Sequence, residues 1–249
     1  MRILTLVITV LLVCLSLPAN AYANEKGVVL VTGANRGLGL EFVKQLQETG
    51  YEVIGTARSP GKANDLKATG ARVEQLDVAS AESVEALATR LKGIPIEMLI
   101  NNAGMLNRTD SSLDSLDFDV MERTFQVNSL GPLRVTQALL PNLQAGEKKT
   151  IVNISSIMGS IELSGGGSYS YRTSKTALNQ INKIISAELD SQGFTSVVIH
   201  PGWVRTDMGG SGATLAIPES ISAILKVIDG LTIKDTGKFY NYDGKELPW

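Results

Sequence analysis

Tyr171 and Lys175 stand four apart in a stretch with helical patterning, so they share one face of that helix. A free phenol titrates near pH ~10 and is a poor acid–base group at neutrality. A neighbouring ammonium favours the phenolate and brings the group toward the working range. Upstream, Asn153-Ile154-Ser155-Ser156 closes an apolar run and sets a hydroxyl where it can polarise a carbonyl. The same Tyr-x-x-x-Lys spacing also suits an exposed helical pair. What surrounds the pair must decide between the two.

A second constellation is Thr32-Gly33-Ala34-Asn35-Arg36-Gly37-Leu38-Gly39, straight after the first apolar run. Gly33 permits a tight turn, Gly37 lets backbone approach a pyrophosphate, and Gly39 allows a helix to pack close on a strand. The helix opening near Leu38 then points its N-terminal N–H groups at phosphate. Strand and helix flank these glycines as a dinucleotide loop requires, although a glycine turn without a ligand reads alike in isolation. The next apolar run ends in Thr56-Ala57-Arg58-Ser59, with no carboxylate where a preference for NAD would place one. Arg58 can face a 2′-phosphate and Arg36 can close on it from the other side, so the expected cofactor is NADP(H) rather than NAD(H). Asn101-Asn102-Ala103-Gly104 follows a further apolar run, and its short polar side chains can bond nearby backbone and shape the crevice.

Composition narrows the chemistry further. The chain of 249 residues has one histidine, His200, and one cysteine, Cys14, which excludes multi-His metal centres and internal disulfides. No metal is expected. Net charge is −2 and Lys and Arg form no long run, so a nucleic-acid partner has little electrostatic support. Residues 1–23 differ from the rest: Met1-Arg2, an apolar stretch from Ile3 to Leu17, then Pro18 to Ala23 ending small-x-small. This is the order of a secretory signal peptide, with a membrane anchor as second choice and a misassigned start leaving a cytoplasmic protein as the third. Export or anchoring is the expectation, and any membrane contact would run through that segment alone.

The elements that must position these residues follow from periodicity. Short β-branched runs at Gly27–Val31, Tyr51–Thr56, Ala71–Leu76, Ile96–Ile100, Thr150–Ile154 and Ser196–His200 read as strands, with a weaker one at Lys238–Tyr240. Amphipathic stretches at Leu38–Thr49, Ala63–Ala68, Ala81–Leu91, Asp117–Leu143, Tyr169–Ser191 and Glu219–Asp229 read as helices. Pro141 is expected to close the fourth of these, and Pro218 to sit in the first turn of the last. Strand–helix alternation without a linker or repeat predicts one α/β domain, residues 24–249, with a doubly wound parallel sheet of about seven strands. The segment from Asp207 to Ile217, rich in Gly and Ser, reads as a mobile, sparsely built lid over an open pocket.

Taken together, the T-G-x-x-x-G-x-G loop, N-N-A-G, the V-N-S-L-G-P around Asn128, N-I-S-S, Y-x-x-x-K and H-P-G-W-V-R-T-D resemble the short-chain dehydrogenase/reductase family. The ending from Thr236 to Trp249 resembles the subgroup of C-factor and the sniffer-type carbonyl reductases. The resemblance implies a Rossmann fold and a carbonyl–alcohol interconversion on a small-molecule substrate. It implies Tyr171 as general acid, its phenol lowered by Lys175 and by a positive nicotinamide, with Lys175 also on the ribose hydroxyls. Ser156, preferred to Ser155, would bond the substrate oxygen, and Asn128 would hold a water in a relay with Lys175. Asp77 and Val78 would meet adenine, Asn102 to Gly104 would line the crevice, and Pro201, Gly202, Val204 and Thr206 would hold the carboxamide. Trp203 and Met208 are candidates for the substrate mouth, and His200 for a structural role. A homodimer or homotetramer is also implied. A dinucleotide-binding signalling protein of the C-factor kind, with little turnover, is the alternative.

Overall fold

The computed structural model describes residues 26–249; the segment 1–23 read as a signal peptide or anchor lies outside the described residues. Seven parallel strands run in the order β3-β2-β1-β4-β5-β6-β7. They are β1 (Val28–Val31), β2 (Glu52–Ala57), β3 (Arg72–Gln75), β4 (Met98–Asn101), β5 (Thr150–Ile154), β6 (Thr195–His200) and β7 (Phe239–Asn241). The chain starts in the middle, winds outward to β3, then returns past β1 to build the other half. That reversal between β1 and β4 opens a crevice at the carboxyl ends of the strands.

Strand parity divides the core. Val29 and Val31 point to the face covered by α1 (Gly37–Glu48) and α8 (Ile217–Asp229), where they meet Phe42, Leu46, Ile221 and Ile224. Leu30, Ile54 and Leu99 point to the opposite face and meet Leu87, Val135 and Ile185. These come from α3 (Ala81–Arg90), α5 (Gly131–Ala138) and α7 (Tyr169–Leu189). Burial on both faces explains why the strands read as continuous apolar runs. Between β2 and β3 the chain makes a 3-10 turn at Pro60–Lys62 and the short α2 (Asn64–Ala68).

On the α7 face a row of buried amides crosses the sheet. Asn101 donates to Asn153 Oδ1 at 2.9 Å, Asn153 donates to Asn182 Oδ1 at 2.9 Å, and Ser196 donates to the same Asn182 oxygen at 2.8 Å. Buried polar groups demand partners, so this row fixes α7 against β4, β5 and β6 in one register.

The single helix expected over Asp117–Leu143 is divided. It consists of α4 (Phe118–Phe125), a π-helical turn at Gln126–Leu130, α5, and α6 (Leu140–Ala145). Pro141 occupies the first turn of α6 rather than closing a helix; α5 ends at Ala138 with Leu139 as its C-cap, and Pro141, lacking an N–H, fits where the next helix starts. The reason for the π-turn lies in the site it faces. Pro218 sits in the first turn of α8 as expected.

Candidate active site

A cleft of about 1180 Å³ lies along the carboxyl edge of the sheet, with the glycine loop, the end of β2, the Asn102–Gly104 turn, Tyr171 and Lys175 in its wall. Gly33 and Gly37 take φ of 65° and 56°, which side chains disfavour, and turn the loop tightly beneath this cleft. At Gly39 the constraint is space: a Cβ there would lie 2.3 Å from the Gly33 carbonyl oxygen and 2.6 Å from Asn102 Nδ2. Asn102 completes the loop by donating from Nδ2 to the main-chain oxygens of Thr32 and Gly33, at 2.9 and 3.1 Å. Thr32 Oγ1 in turn accepts from the N–H groups of Asn102 and Ala103, each at 3.0 Å. Asn102 thus ties the turn after β4 to the glycine loop in the wall of the cleft.

Gly39→Ala is expected to lift α1 off the loop. Overpacking of this kind costs ~1–3 kcal/mol, and the displaced helix N-terminus should weaken dinucleotide binding by roughly tenfold or more. Thermal melting and a fluorescence titration with NADPH read both effects. Wild-type values in both would contradict the close packing described here.

The far end of the cleft is basic. Arg58, Ser59 and Lys62 line it beside Arg36, Asp77 and Val78. Lys62, on the short turn Pro60–Lys62, is a cation that spacing alone did not single out. Arg36 is already engaged: its Nη1 donates to Asp207 Oδ2 at 2.6 Å. This exposed pair joins the glycine loop to the segment after β6 across the cleft. Exposed pairs are weak, so a phosphate can compete for the guanidinium. Asp77 accepts from the Ala79 N–H at 3.0 Å and faces Arg123 at 3.8 Å.

Near Tyr171 the two serines separate. Ser155 Oγ donates to Asn179 Oδ1 at 2.7 Å and is spent on holding α7. Ser156 Oγ accepts from the Met158 N–H at 3.1 Å and also meets the Tyr171 phenol. Lys175 Nζ donates to the Ile154 main-chain oxygen at 2.7 Å and lies 5.9 Å from the Tyr171 ring centroid. Burial raises the Tyr171 phenol above its ordinary value, against the opposing pull of Ser156. Burial likewise pushes Lys175 down to about 8. In the protein without a dinucleotide, burial of the phenol itself is the larger effect on it.

The π-turn is explained by Asn128. Its Oδ1 accepts from the Met105 N–H at 2.8 Å, and its Nδ2 donates to the Met105 carbonyl at 2.9 Å and to Ser174 Oγ at 3.0 Å. A regular helix would aim this amide elsewhere; the wider turn presents it to both the loop after β4 and α7. Its side chain is therefore a brace, filled by protein partners. His200 ends β6 with a buried Nδ1 that has no partner, and burial lowers its imidazole to about 4.

Among the residues expected at the carboxamide, Pro201 and Thr206 line the cleft while Gly202 and Val204 lie behind it. Gly202 takes φ 82° close to Leu215 and Tyr242, and Val204 is buried in a bridge with Leu215. The 207–217 segment is not sparsely built. The Arg205 N–H donates to the Leu215 carbonyl at 2.9 Å, the Leu215 N–H donates to the Trp203 carbonyl at 3.0 Å, and Arg205 Nη1 donates to the Ala213 and Thr214 carbonyls at 3.2 and 2.8 Å. Trp203 Nε1 donates to the Gly209 carbonyl at 2.9 Å, and Met208, also expected at the mouth, lines the cleft. Within the segment Gly209 is closely packed, a Cβ there falling 1.9 Å from the Val204 carbonyl oxygen, while Gly210 has open space beside it.

A family model described as short chain dehydrogenase matches residues 27–214. The chain belongs to the short-chain dehydrogenase family. It is 46% identical over 167 residues to C-signal of Myxococcus xanthus, covering 67% of this chain and all of that one. The NADPH-bound carbonyl reductase from chicken fatty liver superimposes with a TM-score of 0.83 at 35% identity, over 89% of this chain and 98% of that chain. The carbonyl reductase Sniffer of D. melanogaster superimposes with a TM-score of 0.84 at 33% identity, over 90% and 99%. The chain is thus an oxidoreductase of this family with carbonyl-reductase neighbours, one of them holding NADPH.

Proposed function

We propose that this protein is an NADP(H)-dependent carbonyl reductase, or the reverse alcohol dehydrogenase, acting on a small or medium apolar ketone or aldehyde. The observation that carries the reading is the pair Tyr171 and Lys175 in the wall of the cleft that the glycine loop also lines, with Ser155 in the same wall and Ser156 beside the phenol. The residues suit that cofactor: two turned glycines, a third with no room for a Cβ, and a basic far end. When bound, the dinucleotide supplies the hydride. Ser156 orients the substrate oxygen, and Tyr171 delivers a proton to it from its hydroxyl. Lys175 anchors the ribose hydroxyls and, when charged, eases the loss of that proton. Asn128 braces Met105 against Ser174, one residue before Lys175. Arg58 and Lys62, joined by Arg36, receive the 2′-phosphate, with Asp77 and Val78 at the adenine.

The test is the purified chain from residue 24 onward, given NADPH and a panel of carbonyls, with loss of nicotinamide absorbance as the readout. No oxidation across the panel would overturn the reading. For the cofactor, Arg58→Asp removes a charge-assisted bond to phosphate and should weaken NADPH binding ~10-fold or more. NADH binding should change little. Equal affinity of the wild type for both dinucleotides would refute the preference.

A second reading, dinucleotide binding in the service of signalling with little turnover, draws on the 46% identity to C-signal. Binding of NADPH without carbonyl-dependent oxidation would favour it. Export through residues 1–23 belongs to the same proposal, and N-terminal sequencing of the native protein tests it.

A further inference from the structure

Helix α7 begins without a cap of its own. Ser168 stands at its N-cap with φ 51° and ψ 48°, its side chain makes no capping bond, and no acidic residue follows in the first turn. The orphan N–H groups are met from sixty positions upstream. Ser170 N–H donates to Asp110 Oδ2 at 2.5 Å, and Tyr169 N–H donates to the Asp110 main-chain oxygen at 3.3 Å.

Asp110 is an expensive way to do this. It is 1% exposed, and no ion pair among the described residues includes it. Its Oδ1 and the neighbouring Ser170 Oγ are both buried without hydrogen-bond partners among the described residues. A carboxylate withdrawn from water costs free energy, and here the compensation is the helix N-terminus itself. The surrounding chain is shaped to the contact. At Gly167, φ is 76° and a Cβ would meet the Ser111 carbonyl oxygen at 3.0 Å, so the loop before α7 lies directly on the segment that carries Asp110.

We propose that Asp110 is a positioning residue for Tyr171. It caps α7 from the loop after β4 and sets the pitch of the first turn, in which Tyr171 is the third residue. The proposal rests on the role given to Tyr171 above. Without the cap the first turn frays, and the phenol leaves the place where it meets Ser156. A displacement of about 1 Å in such a group can cost ~100-fold in rate. Asp110 does not line the cleft, so cofactor affinity is not its concern.

The experiment compares Asp110→Ala, Asp110→Asn and Asp110→Ser in the full-length protein. The Ala variant should lose ~10- to 100-fold in kcat with the KM for NADPH within about twofold of wild type. Asn keeps an acceptor oxygen at the same reach and should recover most of the loss; Ser is too short and should not. Amide exchange supplies a readout independent of turnover: the Ser170 N–H should exchange ~10-fold faster in the Ala variant. A kcat within twofold of wild type in both Ala and Ser variants would overturn the proposal, as would unchanged exchange at Ser170. If the Ala variant does not fold, the contrast between Asn and Ser decides in the same way. If the wild type turns over no carbonyl, the role of Tyr171 fails, while exchange at Ser170 still decides whether Asp110 holds the first turn.

Discussion

Tyr171→Phe is expected to reduce kcat by ~100- to 10,000-fold, the range over which a positioned general acid contributes. The substitution removes one hydroxyl and keeps the ring, which is 8% exposed and packed in the first turn of α7. Stability and NADPH binding should therefore stay near wild type, and the loss should fall on turnover alone. Of the residues lining the cleft, Tyr171 alone carries a phenol, and the hydroxyl it meets is that of Ser156. Ser155 differs in that its hydroxyl proton is donated to Asn179 and is not offered to a substrate oxygen. Steady-state kinetics with NADPH and an active carbonyl, alongside a dinucleotide titration, separate the effects. A variant that turns over at the wild-type rate would remove the phenol from the chemistry.

Much of this arrangement is legible in residue order because the local signals are strong. Strand parity at Val29, Leu30 and Val31 announces a sheet covered on both faces, and Gly33, Gly37 and Gly39 fall between a strand and a helix. What stays hidden depends on partners distant in the chain. The π-turn at Gln126–Leu130 exists because Asn128 must reach Met105 and Ser174, and helical periodicity carries no trace of that demand. Asp110 looks like an ordinary loop acid until Ser170 is seen to bond it. Arg36 reads as a phosphate ligand, yet its resting partner is Asp207, 171 positions away. The glycines after Asp207 suggest looseness in sequence, whereas in space Gly209 makes room for the Val204 carbonyl. The burial of Tyr171 and Lys175 is also hidden: spacing puts them on one face, and only the fold shows that desolvation raises the phenol and lowers the ammonium.

That burial makes Lys175→Met a test with two opposite signs. Lys175 is 4% exposed, and its one hydrogen bond runs to the Ile154 carbonyl. In the unfolded chain the ammonium titrates at its ordinary 10.5, while in the fold burial brings it down to about 8. Between those values the unfolded state holds more protons than the folded one, so stability rises with pH across that window. Below about pH 8 the fold carries the whole penalty, on the order of 3 kcal/mol. Methionine matches the length of the side chain and has no charge to desolvate. It leaves the Ile154 carbonyl without this donor, which offsets ~1 kcal/mol. The variant should thus be more stable than wild type at pH 7 by about 2 kcal/mol, or roughly 4–8 °C in melting temperature. The gain should shrink as pH rises from about 8 toward 10.5, because only the unfolded wild type still holds its proton across that window. Turnover should move the other way and fall ~100-fold or more, since the phenol loses the cation that eases its proton transfer. Melting curves from pH 6 to pH 10, paired with kcat, decide the matter. Equal melting temperatures at pH 7, or a difference that does not change with pH, would mean that Lys175 is not held at a cost. The paired outcome would instead show a fold that is least stable at the residue its chemistry requires.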